Sequence, residues 1–268
     1  MNDMNAPINT QRLAAVEQSI ALTKDLVDNF YLPDLLAIGK MYVEKGMIDG
    51  GGLAKKRVMS YGDYPDDTYT GTSNGDYHKK CIVRSNGVVE NFALGVDKAT
   101  FIPLEGKDFM DPQYLSEEVD HSWFTYPDGT KTLHPIDGVT DPKFTGPKSG
   151  TKEKWEYLDE DKKYSWIKSP TFKGKTAEVG PLAKYIVVYT KVKQGIIKDP
   201  TWAESMIVRQ IDTVSQVLGV PAHVWMTTMV GRTACRGLDA QVAANMSQYF
   251  FDKLVANIKN GDTTVADM

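Results

Sequence analysis

Cysteine is scarce in this 268-residue sequence: Cys81 and Cys235 are the only two, and neither belongs to a C-x-x-C pair. The count excludes a disulfide framework and a paired-cysteine metal or redox motif. One bridge between the two is compatible with the count, but two separate buried thiols is the reading adopted. No run approaches the ~18 continuous apolar residues of a membrane span. Residues 1–11 lack the basic start and apolar run of a secretory leader, so passage across a membrane would need a carrier. The formal net charge is −4 and no basic stripe is present, which gives no reason to expect nucleic acid.

Signature loops are missing as well. Gly50, Gly51 and Gly52 precede Lys55 and Lys56, but their spacing is not that of a G-x-x-x-x-G-K-S/T phosphate loop, and the run reads as a flexible connector. No G-x-G-x-x-G opens a helix after a strand, and no G-x-S-x-G elbow presents a serine nucleophile. Internal repeats and low-complexity linkers are absent too.

What is present is ordinary globular usage, 41% hydrophobic and 25% charged, in a chain long enough to bury a substantial core. The pattern predicts an α+β fold: a long-helix bundle, a small antiparallel β region and extended irregular segments. Residues 1–46 read as helical, 47–176 as β and irregular, and 177–268 as helical, all within one large domain. In the first part, Asn9 or Thr10 can cap a helix. Leu13, Val16, Ile20, Thr23, Val27 and Phe30 then recur at helical spacing, which predicts a core-packing stripe. Pro33 is expected to end or kink this helix, with Asp34 capping a continuation through Leu36, Ile38, Met41 and Tyr42.

In the middle part, Lys79–Ser85 and Val88–Leu94 flank Asn86-Gly87, the strongest short hairpin signal. Val58–Tyr61 and Thr100–Leu104 are further strand candidates, and Cys81 reads as a small apolar strand residue. Glu117, Glu118 and Asp120 read as a solvated helix turn, and Lys152–Lys163 as an exposed charged stretch. Asp128-Gly129 and Asp137-Gly138 mark turns. Such a long, weakly regular stretch makes most sense draped over a larger body or a partner. In the last part, Val179–Val192 reads as one helix. A second starts at Asp199-Pro200, or at a Thr201-x-x-Glu204 capping box, and stops near Gly219. Pro221 opens a final helix running to Asn260, on the order of 55 Å long.

Chemistry read from residue types is sparse. His121, His134 and Asp137 could together hold a metal, but their spacing matches no known ligand motif, and histidines hydrogen-bonded within an aromatic loop is the preferred reading. His78 and His223 read as surface or packing residues. Cys81 and Cys235 lack a neighbouring histidine base. In Gly231-Arg232-Thr233-Ala234-Cys235-Arg236-Gly237 the small residues allow close helix approach, and the arginines can pair with acids such as Asp239 or meet a partner.

Several segments carry a resemblance. The longest runs from Tyr164 to Leu182, with Lys168-x-Pro170, Gly174 and Glu178-Val179-Gly180-Pro181-Leu182 at its core. His121-Ser122-Trp123, Leu133-His134-Pro135-Ile136-Asp137-Gly138-Val139-Thr140, Tyr31 to Gly39, Ser60-Tyr61-Gly62-Asp63, Gly231-Arg232-Thr233-Ala234 and Asn257-x-x-x-Gly261-Asp262 accompany it. Together they resemble the central portion of the large subunit of nickel–iron hydrogenases, closest to the membrane-bound uptake class. The resemblance implies reversible oxidation of dihydrogen to protons and electrons at a nickel–iron centre in the intact subunit. It also implies an iron–sulfur small subunit as partner, together with the remaining large-subunit segments. The expected place is the periplasmic face of the cell membrane, reached with a partner that carries the export signal, or the cytoplasm without assembly. The family holds its metals through two C-x-x-C pairs, because thiolates suit soft transition metals. Cys81 and Cys235 match neither context, and the family's Ala-Pro-Arg-Gly loop is missing. No catalytic, cofactor-binding or metal-ligating residue is therefore assigned here, and the chain alone is expected to carry no metal centre and to be inactive. The alternative is a non-catalytic scaffold that binds a small-subunit-like partner.

Overall fold

The computed structural model describes residues 8–47, 52–67, 80–145 and 162–261. His78 and most of Lys152–Lys163 lie outside them. The first helix, α1 (Thr10–Leu26), is capped by Asn9, whose side chain accepts the Arg12 N–H at 3.0 Å. A π-turn at Val27–Tyr31 leads without a break into α2 (Leu32–Glu44). Pro33 therefore does not end the helical run; the irregularity that accompanies it is the π-turn. The wider turn before it accommodates a residue without an N–H, and Asp34 lies inside α2. The expected core stripe is also corrected. Of its six residues only Val27 is buried, while Leu13 and Ile20 are half-buried and Val16, Thr23 and Phe30 face solvent.

Four strands follow: β1 (Arg57–Ser60), β2 (Asp63–Pro65), β3 (Cys81–Val83) and β4 (Gly87–Glu90); β5 (Thr100–Ile102) completes the region. Antiparallel pairing joins β1, β4 and β5 into one sheet and β2 with β3 into another. The Asn86-Gly87 hairpin does not form, because the two flanking strands belong to different sheets. The chain is led away at this point by side chains from distant helices. Glu204 accepts the Arg84 backbone N–H at 2.8 Å and its guanidinium at 2.6 and 2.9 Å. The Lys191 ammonium donates to the Arg84 carbonyl at 2.6 Å and to Asn86 Oδ1 at 3.0 Å. Gly87, at φ 138°, serves close packing instead: a Cβ there would sit 2.3 Å from the Phe101 ring.

Beyond α3 (Gly106–Phe109), β6 (Leu115–Glu118) is flanked in space by β8 (Thr132–Leu133) and β10 (Ser169–Phe172), with β11 (Lys175–Thr176) at the edge; β7 (Phe124–Thr125) pairs with β9 (Asp141–Pro142). Glu117 and Glu118 thus lie on a strand and not on a helix turn. Glu117 pairs with Lys168 at 2.5 Å and Asp120 with Lys131 at 2.9 Å. Lys163 is not exposed as its charged neighbours suggested. Its ammonium donates to the carbonyls of Val119, Ser122 and Phe124, and burial lowers its pKa.

The last third contains α4 (Pro181–Lys193), α5 (Trp202–Leu218), α6 (Ala222–Trp225) and α7 (Met229–Lys259). Of the two candidate starts for α5 the structure uses Thr201, which forms the capping box with Glu204; Gly219 ends the helix in left-handed geometry. The expected single final helix is two. Thr228 interrupts it by donating to the Trp225 carbonyl at 2.6 Å and accepting the Gly231 N–H at 3.2 Å. The remaining 31 residues of α7 span about 46 Å. Gly231 and Gly237 permit the close approaches expected of them. A Cβ at Gly237 would lie 2.5 Å from Leu35, and one at Gly231 2.3 Å from the Met226 carbonyl. Every α4 residue from Leu182 to Lys191 is buried, packed with Ile207, Ile211, Trp225, Met226 and Met246 and with the β1/β4 sheet. A smaller cluster of Met59, Val88, Leu104, Leu115, Phe172 and Ala177 anchors the irregular middle part.

Candidate functional site

Three of the segments that carry the resemblance, at 60–63, 178–182 and 231–234, meet in space. Glu178 is the hub. Its carboxylate accepts Arg232 Nε at 2.5 Å, Arg232 Nη2 at 2.8 Å and the Ala54 N–H at 2.8 Å. A bidentate guanidinium–carboxylate pair is directional and strong when sheltered, and both side chains here are mostly buried. The Glu178 backbone also continues the β1 edge, donating to the Arg57 carbonyl at 3.1 Å and accepting the Met59 N–H at 2.9 Å. Gly52 completes this corner. It sits at φ 117°, and a Cβ would overlap the Arg232 guanidinium at 1.7 Å. Arg232 therefore pairs with Glu178 and not with Asp239.

Asp239 has another partner. Lys184, one turn into α4 and 8% exposed, places its ammonium 2.5 Å from Asp63 Oδ2 and 2.6 Å from Asp239 Oδ1. The second contact is an ion pair outside the angles of a directed hydrogen bond. Burial alone would lower the Lys184 pKa, but Asp239 and Asp63 outweigh it and hold it above the ordinary lysine value. Burial raises the Asp239 pKa, Lys184 offsets part of that rise, and Asp63 adds to it. The Asp63 turn is itself strained: Gly62 lies at φ 101° and Tyr64, a residue with a side chain, at φ 58°. Between this turn and the Gly180-Pro181 start of α4 is an open cleft of 260 Å³, with Tyr61, Lys184 and Asp239 on its walls. The arrangement locks three segments of the chain together and leaves a mixed-charge recess beside the lock. Sequence reasoning missed the Asp63–Lys184–Asp239 triad. Asp63 lies in a distinctive segment, but nothing in its neighbourhood names partners more than a hundred residues away.

The metal reading of His121, His134 and Asp137 does not hold in this structure. Both His134 ring nitrogens are engaged by backbone, Nε2 with the Phe109 carbonyl at 2.7 Å and Nδ1 with the Ile136 N–H at 3.1 Å. His121 Nδ1 lies 2.6 Å from the Lys162 carbonyl, and the ring stacks on Tyr164. Among the described residues no group of three histidine, cysteine or carboxylate side chains could hold a metal ion. His223 is half-buried on α6. Cys81 on β3 and Cys235 on α7 are both buried, and burial pushes the Cys235 thiol far above its usual range, which disfavours a nucleophilic or ligating thiolate.

Comparison with known proteins covers the whole chain. The sequence model described as nickel-dependent hydrogenase matches residues 1–268. The uptake hydrogenase large subunit of Rhizobium leguminosarum bv. viciae is 40% identical over 97% of this chain, and the match spans 39% of that protein. The hydrogenase-1 large chain of Escherichia coli K12 is 36% identical over 97% of this chain and 39% of its own length. The chain thus spans about two-fifths of the length of these relatives. Among solved structures, the Ni-Fe-Se hydrogenase from D. vulgaris Hildenborough in the reduced state superposes with a TM-score of 0.58 at 19% identity, over 98% of this chain and 43% of that one. At that identity the superposition establishes the fold alone.

Proposed function

The chain belongs to the nickel-dependent hydrogenase family, and on that premise we propose that it forms part of the large subunit of an uptake-type enzyme. The reaction of the intact subunit is the reversible oxidation of dihydrogen to two protons and two electrons, with the electrons leaving through an iron–sulfur small subunit. The observation that carries the proposal is the convergence of three family-like segments on the Glu178–Arg232 and Asp63–Lys184–Asp239 pairs. A scaffold that must keep distant segments in fixed register needs locks of this kind. Dense packing of α4 against α5, α7 and the β1/β4 sheet gives those locks a rigid base.

The described residues do not fit a nickel–iron centre. Soft thiolate ligands are required, and the two thiols lie on separate elements, one of them held strongly protonated. No reaction step is therefore assigned to this chain's side chains. Its part is structural: to position the segments that carry the ligands and to present surfaces to them and to the small subunit. Assembly with that subunit at the periplasmic face of the membrane belongs to the same proposal. No described helix is long and apolar enough to cross a membrane.

The missing donor set also favours a second reading, a non-catalytic scaffold for a small-subunit-like partner. Metal analysis and hydrogen-dependent dye reduction separate the two. The chain expressed alone should hold no stoichiometric nickel and reduce no dye. The large-subunit reading requires both properties to appear when the chain is assembled with cysteine-bearing family segments and a small subunit. Nickel bound by the isolated chain would overturn the absence of a donor set, and an inert full assembly would leave only the scaffold.

A further inference from the structure

Lysines usually keep their ammonium groups in water or beside a carboxylate, because a sheltered charge without a partner is costly. Lys184 obeys that rule through Asp63 and Asp239. Lys163 does not. Its ammonium donates to three backbone carbonyls, those of Val119 at 3.1 Å, Ser122 at 2.6 Å and Phe124 at 3.0 Å. Asp120, the carboxylate within that loop, pairs with Lys131 instead. The Ser122 hydroxyl is buried and has no hydrogen-bond partner among the described residues, so Ser122 meets the ammonium through its backbone.

Three acceptors match the three N–H donors of an ammonium and fill its hydrogen-bonding capacity. Carbonyl dipoles turned toward one point repel one another until a cation sits among them. Backbone carbonyls that replace a hydration shell in this way are a means by which proteins hold desolvated monovalent cations. The cage stands where distant pieces of chain are tied together. Trp123 donates its N–H to the Ser165 carbonyl at 2.7 Å, Tyr164 to the His121 carbonyl at 3.0 Å, and Lys143 to the Trp123 carbonyl at 2.7 Å. The Trp123 ring packs edge-on against Phe144 and Trp166, with centroids 4.9 and 5.3 Å away.

We propose that the loop of residues 119–124 is a monovalent-cation site, of the class that takes potassium, ammonium or a primary alkylammonium, and that the chain fills it with its own Lys163. The tethered ammonium frees the loop from dependence on a dissolved ion. Lys191, the other buried lysine held by carbonyls, differs in reaching the Asn86 side chain and in lying within the field of Glu204. The site belongs to these residues alone and stands whether or not the large-subunit reading does.

The test empties the site in the full chain and refills it. Lys163→Ala deletes a group with the shape of propylammonium. Fluorine NMR of fluorotryptophan-labelled protein reads the surroundings of Trp123, and thermal unfolding reads stability. The variant should lose the native Trp123 signal and melt at a lower temperature than the unchanged chain. Propylammonium chloride should restore the signal and raise the melting midpoint with the logarithm of its concentration, as mass action requires of a ligand of the folded state. Tetramethylammonium chloride, which carries the same charge without an N–H and is too bulky for the cage, should do neither. The unchanged chain should melt alike in both salts. If Lys163→Ala does not fold unaided, the same comparison is made on the yield of refolding from urea. Equal rescue by both salts, rescue by neither, or a native signal and midpoint in Lys163→Ala without added cation would overturn the site.

Discussion

Two helical stretches, α4 and the continuous run of α1 into α2, make opposite use of apolar sequence. The α1–α2 stretch carries apolar residues at helical spacing, yet it buries little beyond Val27 and Leu32. The α4 sequence carries Lys184 and Lys191 among its apolar residues, yet every residue from Leu182 to Lys191 is buried. Periodicity therefore reports that a helix has an apolar face. It does not report what covers that face, because covering depends on elements elsewhere in the chain or beyond it.

The contrast can be broken most forcefully at the polar ties around the enclosed helices. Glu204 is fully buried and holds the Arg84 guanidinium, the Arg84 N–H and the Thr201 N–H. Glu204→Gln should cost roughly 3–5 kcal/mol, because it leaves the Arg84 charge without its partner, as read from urea unfolding. A loss under ~1 kcal/mol would mean that the contact is not maintained in solution. Next in size is the paired truncation of Ile186 on α4 and Ile38 on α2. Ile186→Ala should destabilise by roughly 2–5 kcal/mol, and Ile38→Ala by less than ~0.5 kcal/mol. Equal losses in the isolated chain would erase the distinction between the two stretches.

The third effect depends on pH. Burial, helped by Arg84 and opposed by Glu204, lowers the Lys191 pKa from 10.5 to about 8. Below pH 8 the lysine is charged in both states, and the folded state bears the cost of burying that charge. Between about pH 8 and 10.5 the unfolded chain holds a proton that the folded chain has released, so stability from this group rises with pH, by roughly 3 kcal/mol in all. Lys191→Met should flatten that part of the stability profile. An unchanged slope would show that the contacts to the Arg84 carbonyl and Asn86 Oδ1 keep the ammonium charged as readily as water does.

Local chemistry was legible wherever neighbours in sequence decide the outcome. Asn9 caps α1, Gly219 ends α5, and the Asp128-Gly129 and Asp137-Gly138 turns form where expected. Even so, the Thr201 box prevailed over Asp199-Pro200 because Glu204 is also held from the other side by Arg84. The Asn86-Gly87 hairpin failed for the related reason that Lys191, over a hundred residues away, takes hold of the turn. The site shows the same division. Its segments stood out in the sequence, but the pairing of Arg232 with Glu178, and of Asp239 with Lys184, depends on how α4 and α7 cross.

The Glu178 carboxylate closes the short turn at Ala54 and at the same time grips the first turns of α7 through Arg232. The two ends share one carboxylate. Segments nearly two hundred residues apart in the sequence are thereby joined into one cooperative unit, and a local fluctuation at the Gly52 corner reaches the first turns of α7.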